Sequence, residues 1–335
     1  MSKQNNPRLR PRRMGGETIA AIGVLALLLI LPLVASDYIV YLLPQYMLYG
    51  VLALSLVMLW GIVGIVSFGQ AAFFAIGAYA MGLCMAQVDF GFNSAYAGLL
   101  CAAIVGGLLA GITGWFLFSA GVRATYFVLI TLALSIITEQ VAVTQSQLTG
   151  GFNGMFVNRM ALAPWAGGEI ASDLGLYFFV LAVVAAIYAA LRWLMAGRFG
   201  TVLAGVRENE DRLTALGFRI DHYKTLAFAL SGAIAGLAGA LYATTASFVS
   251  PSLAGVLFST QVVVWVAIGG RASLLGGLVG AVVVASASNY LSAVMPNYWQ
   301  LILGIAFMLV IIFFKEGIAG MFSRAGSLLR TRAST

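Results

Sequence analysis

An all-α, polytopic bundle of transmembrane helices is the fold class this sequence predicts, and three observations predict it. Only 9% of the 335 residues are charged and 61% are hydrophobic, against about 25% charged in soluble domains. Mean hydropathy is accordingly high, at +0.99. The apolar residues gather into runs close to the roughly 20 residues that a helix needs to cross about 30 Å of hydrocarbon. These runs are apolar on every side, whereas a membrane strand would alternate apolar and polar positions over about ten residues. A helix also satisfies its own backbone hydrogen bonds in lipid.

Taken in order, the runs are 18–34, 46–66, 71–87, 95–119, 124–143, 175–191, 225–246, 253–270, 274–295 and 299–314, about ten segments in all. The first follows a basic stretch and ends on Val34-Ala35-Ser36, the outline of a secretory signal; its length and the further spans behind it argue for a retained helix. The second ends at Ser67-Phe68-Gly69-Gln70, and the eighth runs into Gly269-Gly270-Arg271-Ala272-Ser273. Both interruptions put glycines and hydroxyls where a helix ends, breaks or re-enters. They are either two ordinary turns or the traces of an inverted repeat, whose interface would hold a transport path. Many of the 39 glycines lie inside the runs. Gly107 and Gly111, Gly232 and Gly236, and Gly276 and Gly280 have GxxxG spacing, and Ser231, Ala235 and Gly239 form a parallel small-residue stripe, which predicts close helix packing.

Ten crossings place both termini on one side, and the basic residues choose it. With that side inside, Arg159 is the only one of the 18 Lys and Arg residues to fall outside. The positive-inside rule then orients the chain with N- and C-termini cytoplasmic and the loop at about 144–174 outside. The expected organisation is a basic cytoplasmic tail at 1–17, a transmembrane domain at 18–314 with a cytoplasmic loop at 197–224, and a second basic tail at 315–335. The pI near 9.6 is thereby explained by topology and anionic-lipid contact, not by nucleic acid.

Several activities lack their residues. The chain has no GxxxxGK[ST] loop, no Gly-x-Ser-x-Gly elbow and no His-Glu-x-x-His, so it is expected to be a non-enzyme without its own ATPase site. His222 is the only histidine, and Cys84 and Cys101 lie in or beside apolar runs. No metal, cofactor or structural disulfide is expected. Glu139 is the main ionisable group within a run, near its outer end, and a proton relay would need several in sequence. An energised transporter built this way takes its energy from partner subunits. A stand-alone secondary carrier and a non-transporting scaffold are the alternatives; neighbouring genes for P-loop ATPases and a secreted binding protein would favour an importer.

Arg207-Glu208-Asn209-Glu210-Asp211-Arg212 is the one dense charge cluster in the chain's interior. Residues 201–216 fit a helix with Thr201 as N-cap and Gly217 as C′ residue. Val202, Val206, Leu213 and Leu216 fall close to one face, with Arg207, Glu208, Asp211 and Arg212 opposite. The residues alone leave two readings open, a loop on the headgroups or an amphipathic helix docking into a partner.

Several ordered motifs carry a family resemblance. Ser67-Phe68-Gly69-Gln70-Ala71-Ala72-Phe73-Phe74 with Gly77-Ala78-Tyr79, Thr149-Gly150-Gly151-Phe152-Asn153-Gly154, Arg198-Phe199-Gly200 with Arg207-Glu208-Asn209-Glu210 and Leu216-Gly217, Leu237-Ala238-Gly239-Ala240-Leu241-Tyr242 and Gly269-Gly270-Arg271 resemble the LivM-type permease subunits of branched-chain amino acid ABC importers, over roughly residues 45–320. The resemblance implies a second, H-type permease, two cytoplasmic ABC ATPase subunits, a periplasmic substrate-binding protein, location in the bacterial inner membrane and discontinuous helices near the path. It turns the charge cluster into an expected ATPase-coupling element, comprising Arg207, Glu208, Asn209, Glu210, Asp211, Arg212, Leu216 and Gly217. Asp211-Arg212, where small residues are common, and Arg271 are more similar to the urea and short-amide branch, so that substrate class stays open beside branched-chain or other hydrophobic amino acids. Ser67, Gln70, Glu139 and Asn153 are the expected path-lining residues; for each, helix-to-helix hydrogen bonding is the competing role.

Overall fold

The structure is a computed structural model that describes residues 14–87, 93–122, 124–162 and 172–313. Apart from 14–17, the tails expected at 1–17 and 315–335 lie outside the described residues, as does Arg123. In chain order the helices are α1 (Met14–Ile30), α2 (Asp37–Val57), α3 (Gln70–Gln87), α4 (Ser94–Ser119), α5 (Ala124–Thr144), the single turn α6 (Ser146–Thr149), α7 (Asp173–Ala196), α8 (Arg198–Glu208), α9 (Glu210–Ala215), α10 (Ile220–Ala246), α11 (Val256–Gly269), α12 (Leu274–Val294) and α13 (Trp299–Phe313). Two-residue strands β1 (Met155–Phe156) and β2 (Phe248–Val249) pair antiparallel, Met155 opposite Val249.

The expected helical bundle is what forms. Six helices are long and apolar enough to cross a membrane, at 37–63, 94–119, 125–144, 173–196, 220–246 and 274–294. Four shorter apolar helices, at 17–33, 70–86, 256–269 and 299–309, fill the remaining expected positions. The second helix begins at Asp37, before the expected 46, with Pro44 inside it, and continues through a wide π-turn, Met58–Val63.

Helix α10 is the hub, packed against α2, α3 and α4. Its contact with α4 shows why the glycines are where they are. A Cβ on Gly236 would stand 2.5 Å from the Ala102 carbonyl, and one on Gly232 2.6 Å from the Gly106 carbonyl. Backbones this close exclude larger side chains, as the GxxxG reading requires. The buried face of α4 is small, with Gly98, Ala102, Gly106, Ala110 and Gly114, while Leu100, Ile104, Leu108, Ile112 and Phe116 face out. That inside-out distribution suits a helix whose solvent is lipid or another apolar subunit.

The connections sort to two ends. The segments 60–65, 118–122, 206–210 and Arg271 border one cavity. At the opposite end Asn93 donates to the Ala161 carbonyl (2.6 Å), Tyr96 to that of Leu162 (2.7 Å), and β1 meets β2.

Candidate functional site

The chain breaks at 64–69 inside the protein. Gln70 opens α3 beside Ser55, eight residues before the π-turn that prolongs α2 ends at Val63, so the segment climbs back roughly 12 Å into the bundle before α3 starts. Backbone at that depth needs partners, because lipid offers none. Side chains supply them. The Phe68 N–H donates to Thr131 Oγ1 (3.2 Å), Ser135 Oγ donates to the Phe68 carbonyl (2.8 Å), and the Gly69 N–H donates to Ser67 Oγ (3.1 Å). Ser259 Oγ of α11 donates to Ser135 Oγ (3.1 Å), which links this break to a helix that itself starts below the bundle's opposite end. There a 3₁₀ turn, Pro251–Ala254, packs on α3 and α5 ahead of α11.

The expected path residues fall into two groups at different depths. Ser67 and Gln70 are each 1% exposed and belong to the buried polar belt just described. Ser55 Oγ lies 2.9 Å from Gln70 Oε1 and 2.7 Å from the Leu52 carbonyl, and Ser231 Oγ donates to the Ser55 carbonyl (3.1 Å). Gln70 Nε2, also buried, meets no partner among the described residues. Glu139 and Asn153 lie toward the opposite end. Glu139 is partly buried, its carboxylate next to Gly255, where both oxygens would be 3.2 Å from an added Cβ; an anion is favoured at the start of α11. Asn153 is exposed in the turn Gly151–Asn153. The Gly-rich motif around it is a folding requirement: Gly150, Gly151 and Gly154 all have positive φ, at 76°, 62° and 73°.

The charge cluster departs from the single helix expected at 201–216. The chain turns at Gly197, whose extended backbone lets α8 start at once, and the Thr201 hydroxyl donates back to the Gly197 carbonyl (3.2 Å) without capping anything. At Asn209 the backbone is extended again, and its side chain caps α9 by accepting from the Arg212 N–H (2.9 Å). Gly217 follows with φ 87°, the left-handed closure expected of it. Leu203 and Val206 form the buried face, Leu213 packs against it, and Leu216 is 67% exposed. Among the charges, Glu208, Asp211 and Arg212 face out. Arg207 is exposed with them and at the same time turns Nη1 to the Gly61 carbonyl, while Glu210 pairs with Lys224 at the start of α10.

Around these contacts is an open cavity of about 570 Å³, lined by Trp60, Phe118, Phe127, Arg207, Glu208, Asp221, Lys224 and Arg271 among others. Lys224 Nζ lies 5.6 Å from the centre of the Phe118 ring, and the Arg271 guanidinium 5.9 Å from that of Trp60. Mixed charge over an aromatic floor suits a protein surface better than a small ion. Sequence reasoning missed Lys224, Trp60 and Gly61. Lys224 carried one signal, as a lone cation at the threshold of an apolar run.

The family described as "Branched-chain amino acid transport system / permease component" matches residues 38–312. The chain belongs to this family. Among its relatives is the High-affinity branched-chain amino acid transport system permease protein LivM of Escherichia coli, 27% identical over 323 residues, 90% of this chain and 74% of that protein. The Probable branched-chain amino acid transport permease protein LivM of Methanocaldococcus jannaschii is 26% identical, over 73% of this chain and 78% of its own. The E. coli permease protein LivH is 22% identical, over 81% and 91%. No solved structure matches the chain. The protein is thus a multi-pass membrane permease component, and the likeness to LivM rests on the whole bundle, not on one motif.

Proposed function

We propose that this permease is the LivM-type half of an ABC importer for branched-chain amino acids, paired with an H-type permease, fed by a periplasmic binding protein and driven by two ATPase subunits. The observation that carries this reading is the family match across 38–312 together with a charged, two-part helical segment, α8–α9, seated on the helix ends. The LivM and LivH relatives are named as branched-chain amino acid permeases, so the urea and short-amide alternative is not the favoured one. Energy from outside fits a chain without a P-loop.

In this reading the cavity end is cytoplasmic, in the inner membrane, as the basic residues direct. Glu208, Asp211, Arg212 and Leu216 offer an exposed mixed-charge face with one apolar anchor, the kind of surface a partner groove can orient and grip. The outer-end group, Glu139 and Asn153, and the mid-bundle group, Ser67 and Gln70, mark a path with no tight site, because the binding protein has already selected the ligand. Gln70 has the best support, since a buried amide N–H without a partner is costly unless water or substrate meets it during the cycle.

Charge reversal tests the docking face. With Glu208→Lys and Asp211→Lys together, we expect the permease to insert normally, ATPase subunits to stop co-purifying and ATP-driven uptake to vanish. Normal uptake by an intact complex would remove the docking role from α8–α9.

A further inference from the structure

The end of α2 carries an arrangement that docking alone does not use. With its π-turn, α2 is the most enclosed of the six long spans. In that turn the N–H groups of Gly64 and Ile65 both go to the Leu59 carbonyl, at 2.9 and 3.1 Å. The Gly61 carbonyl is met from outside the helix, by Arg207 Nη1 of α8. A cation at a helix C-terminus gains from the helix dipole as well as from the hydrogen bond. The stem of Arg207 also lies against Gly64, where φ is 89° and a Cβ would come within 3.0 Å of Arg207 Cγ.

The other side of Gly61 is gripped too. Its missing side chain admits the Arg271 carbonyl, which a Cβ would approach to 2.0 Å, and the Arg271 guanidinium covers neighbouring Trp60. One helix end is therefore held between α8 and the α11–α12 turn.

We propose that Arg207 is the transmission contact of the permease: it ties α8 to the C-terminal turn of α2, and through Gly61 to the 270–273 turn, so that displacement of α8 moves all three together. This rests on reading α8–α9 as the ATPase-docking segment, with Glu208, Asp211 and Arg212 for docking and Arg207, exposed but bonded to the end of α2, for transmission. α2 then carries the motion to Ser55 and the buried belt at Gln70. Arg207 acts here as a positioning residue.

Two measurements test it. In proteoliposomes holding the complete transporter, Arg207→Ala is expected to keep the ATPase subunits bound and hydrolysing while substrate imported per ATP falls about ten-fold, the scale of a lost charge-assisted hydrogen bond. Arg207→Lys, which keeps the cation but loses the planar fork, should recover part of that ratio. A merely structural role would lower complex yield and uptake together and leave the ratio unchanged, and that outcome overturns the proposal. The second measurement uses the permease chain without ATPases, so it stands even if the docking reading fails. Spin labels at Ile62 and Ala204 should report one narrow distance in the wild type and a broadened one in Arg207→Ala. An unchanged distribution overturns the tie. Should Arg207→Ala fail to accumulate, Arg207→Lys serves in both measurements, with a smaller change of the same sign expected and no change overturning the proposal.

Discussion

Thr131 serves two backbones with one hydroxyl. It donates to its own helix, at the Phe127 carbonyl (2.9 Å), and accepts from the Phe68 N–H of the break. Thr138, on the same helix, donates back to the Leu134 carbonyl (2.8 Å) and, among the described residues, bonds no other segment. Thr131→Val keeps the shape and strands a buried N–H, so it should destabilise the protein by about 1–3 kcal/mol, whereas Thr138→Val should cost under about 1 kcal/mol. Thermal unfolding of both variants in detergent checks this; equal shifts would mean that the break does not depend on Thr131. The contrast also explains what sequence could and could not reveal at this scale. Ser67 and Gln70 stood out as polar residues at an interruption. Thr131, Ser135 and Ser259 did not, because a helical hydroxyl that returns to its own backbone looks identical in sequence to one that reaches a segment far away in the chain.

At the scale of elements, apolar periodicity and glycine spacing located the apolar helices, and they located α8–α9 as helical. They missed its division. Asn209 reads as an ordinary residue within a charged helix, but its backbone is extended and its side chain accepts from the Arg212 N–H, which makes it a cap. Asn209→Ala should remove about 1 kcal/mol from α9. Amide exchange at 211–215 is then expected to speed up several-fold while that of α8 stays unchanged; uniform acceleration of both would mean that they behave as one helix after all. The Lys224–Glu210 pair, by contrast, involves a half-exposed carboxylate. Glu210→Ala should shift overall stability by less than about 1 kcal/mol, and a larger loss in thermal unfolding would show that the pair anchors the bundle.

For the whole molecule, composition and periodicity were enough for the class, and the breaks account for two of the four apolar runs that are shorter than full spans. Helices α3 and α11 are short because each begins inside the bundle, a depth that a hydropathy pattern does not give. The proposed orientation, with the cavity end cytoplasmic, predicts opposite signals from reporter fusions at Thr149 and at Asp211; the same compartment for both would invert or discard it. We propose that this permease is passive, its work done by attached ATPases. Uptake of radiolabelled leucine, isoleucine or valine into proteoliposomes containing the permease pair, the ATPase subunits and the binding protein tests it most directly. We expect uptake only with ATP and binding protein both present, unaffected when ion gradients are collapsed; uptake that persists without ATP and disappears with the gradient would contradict it.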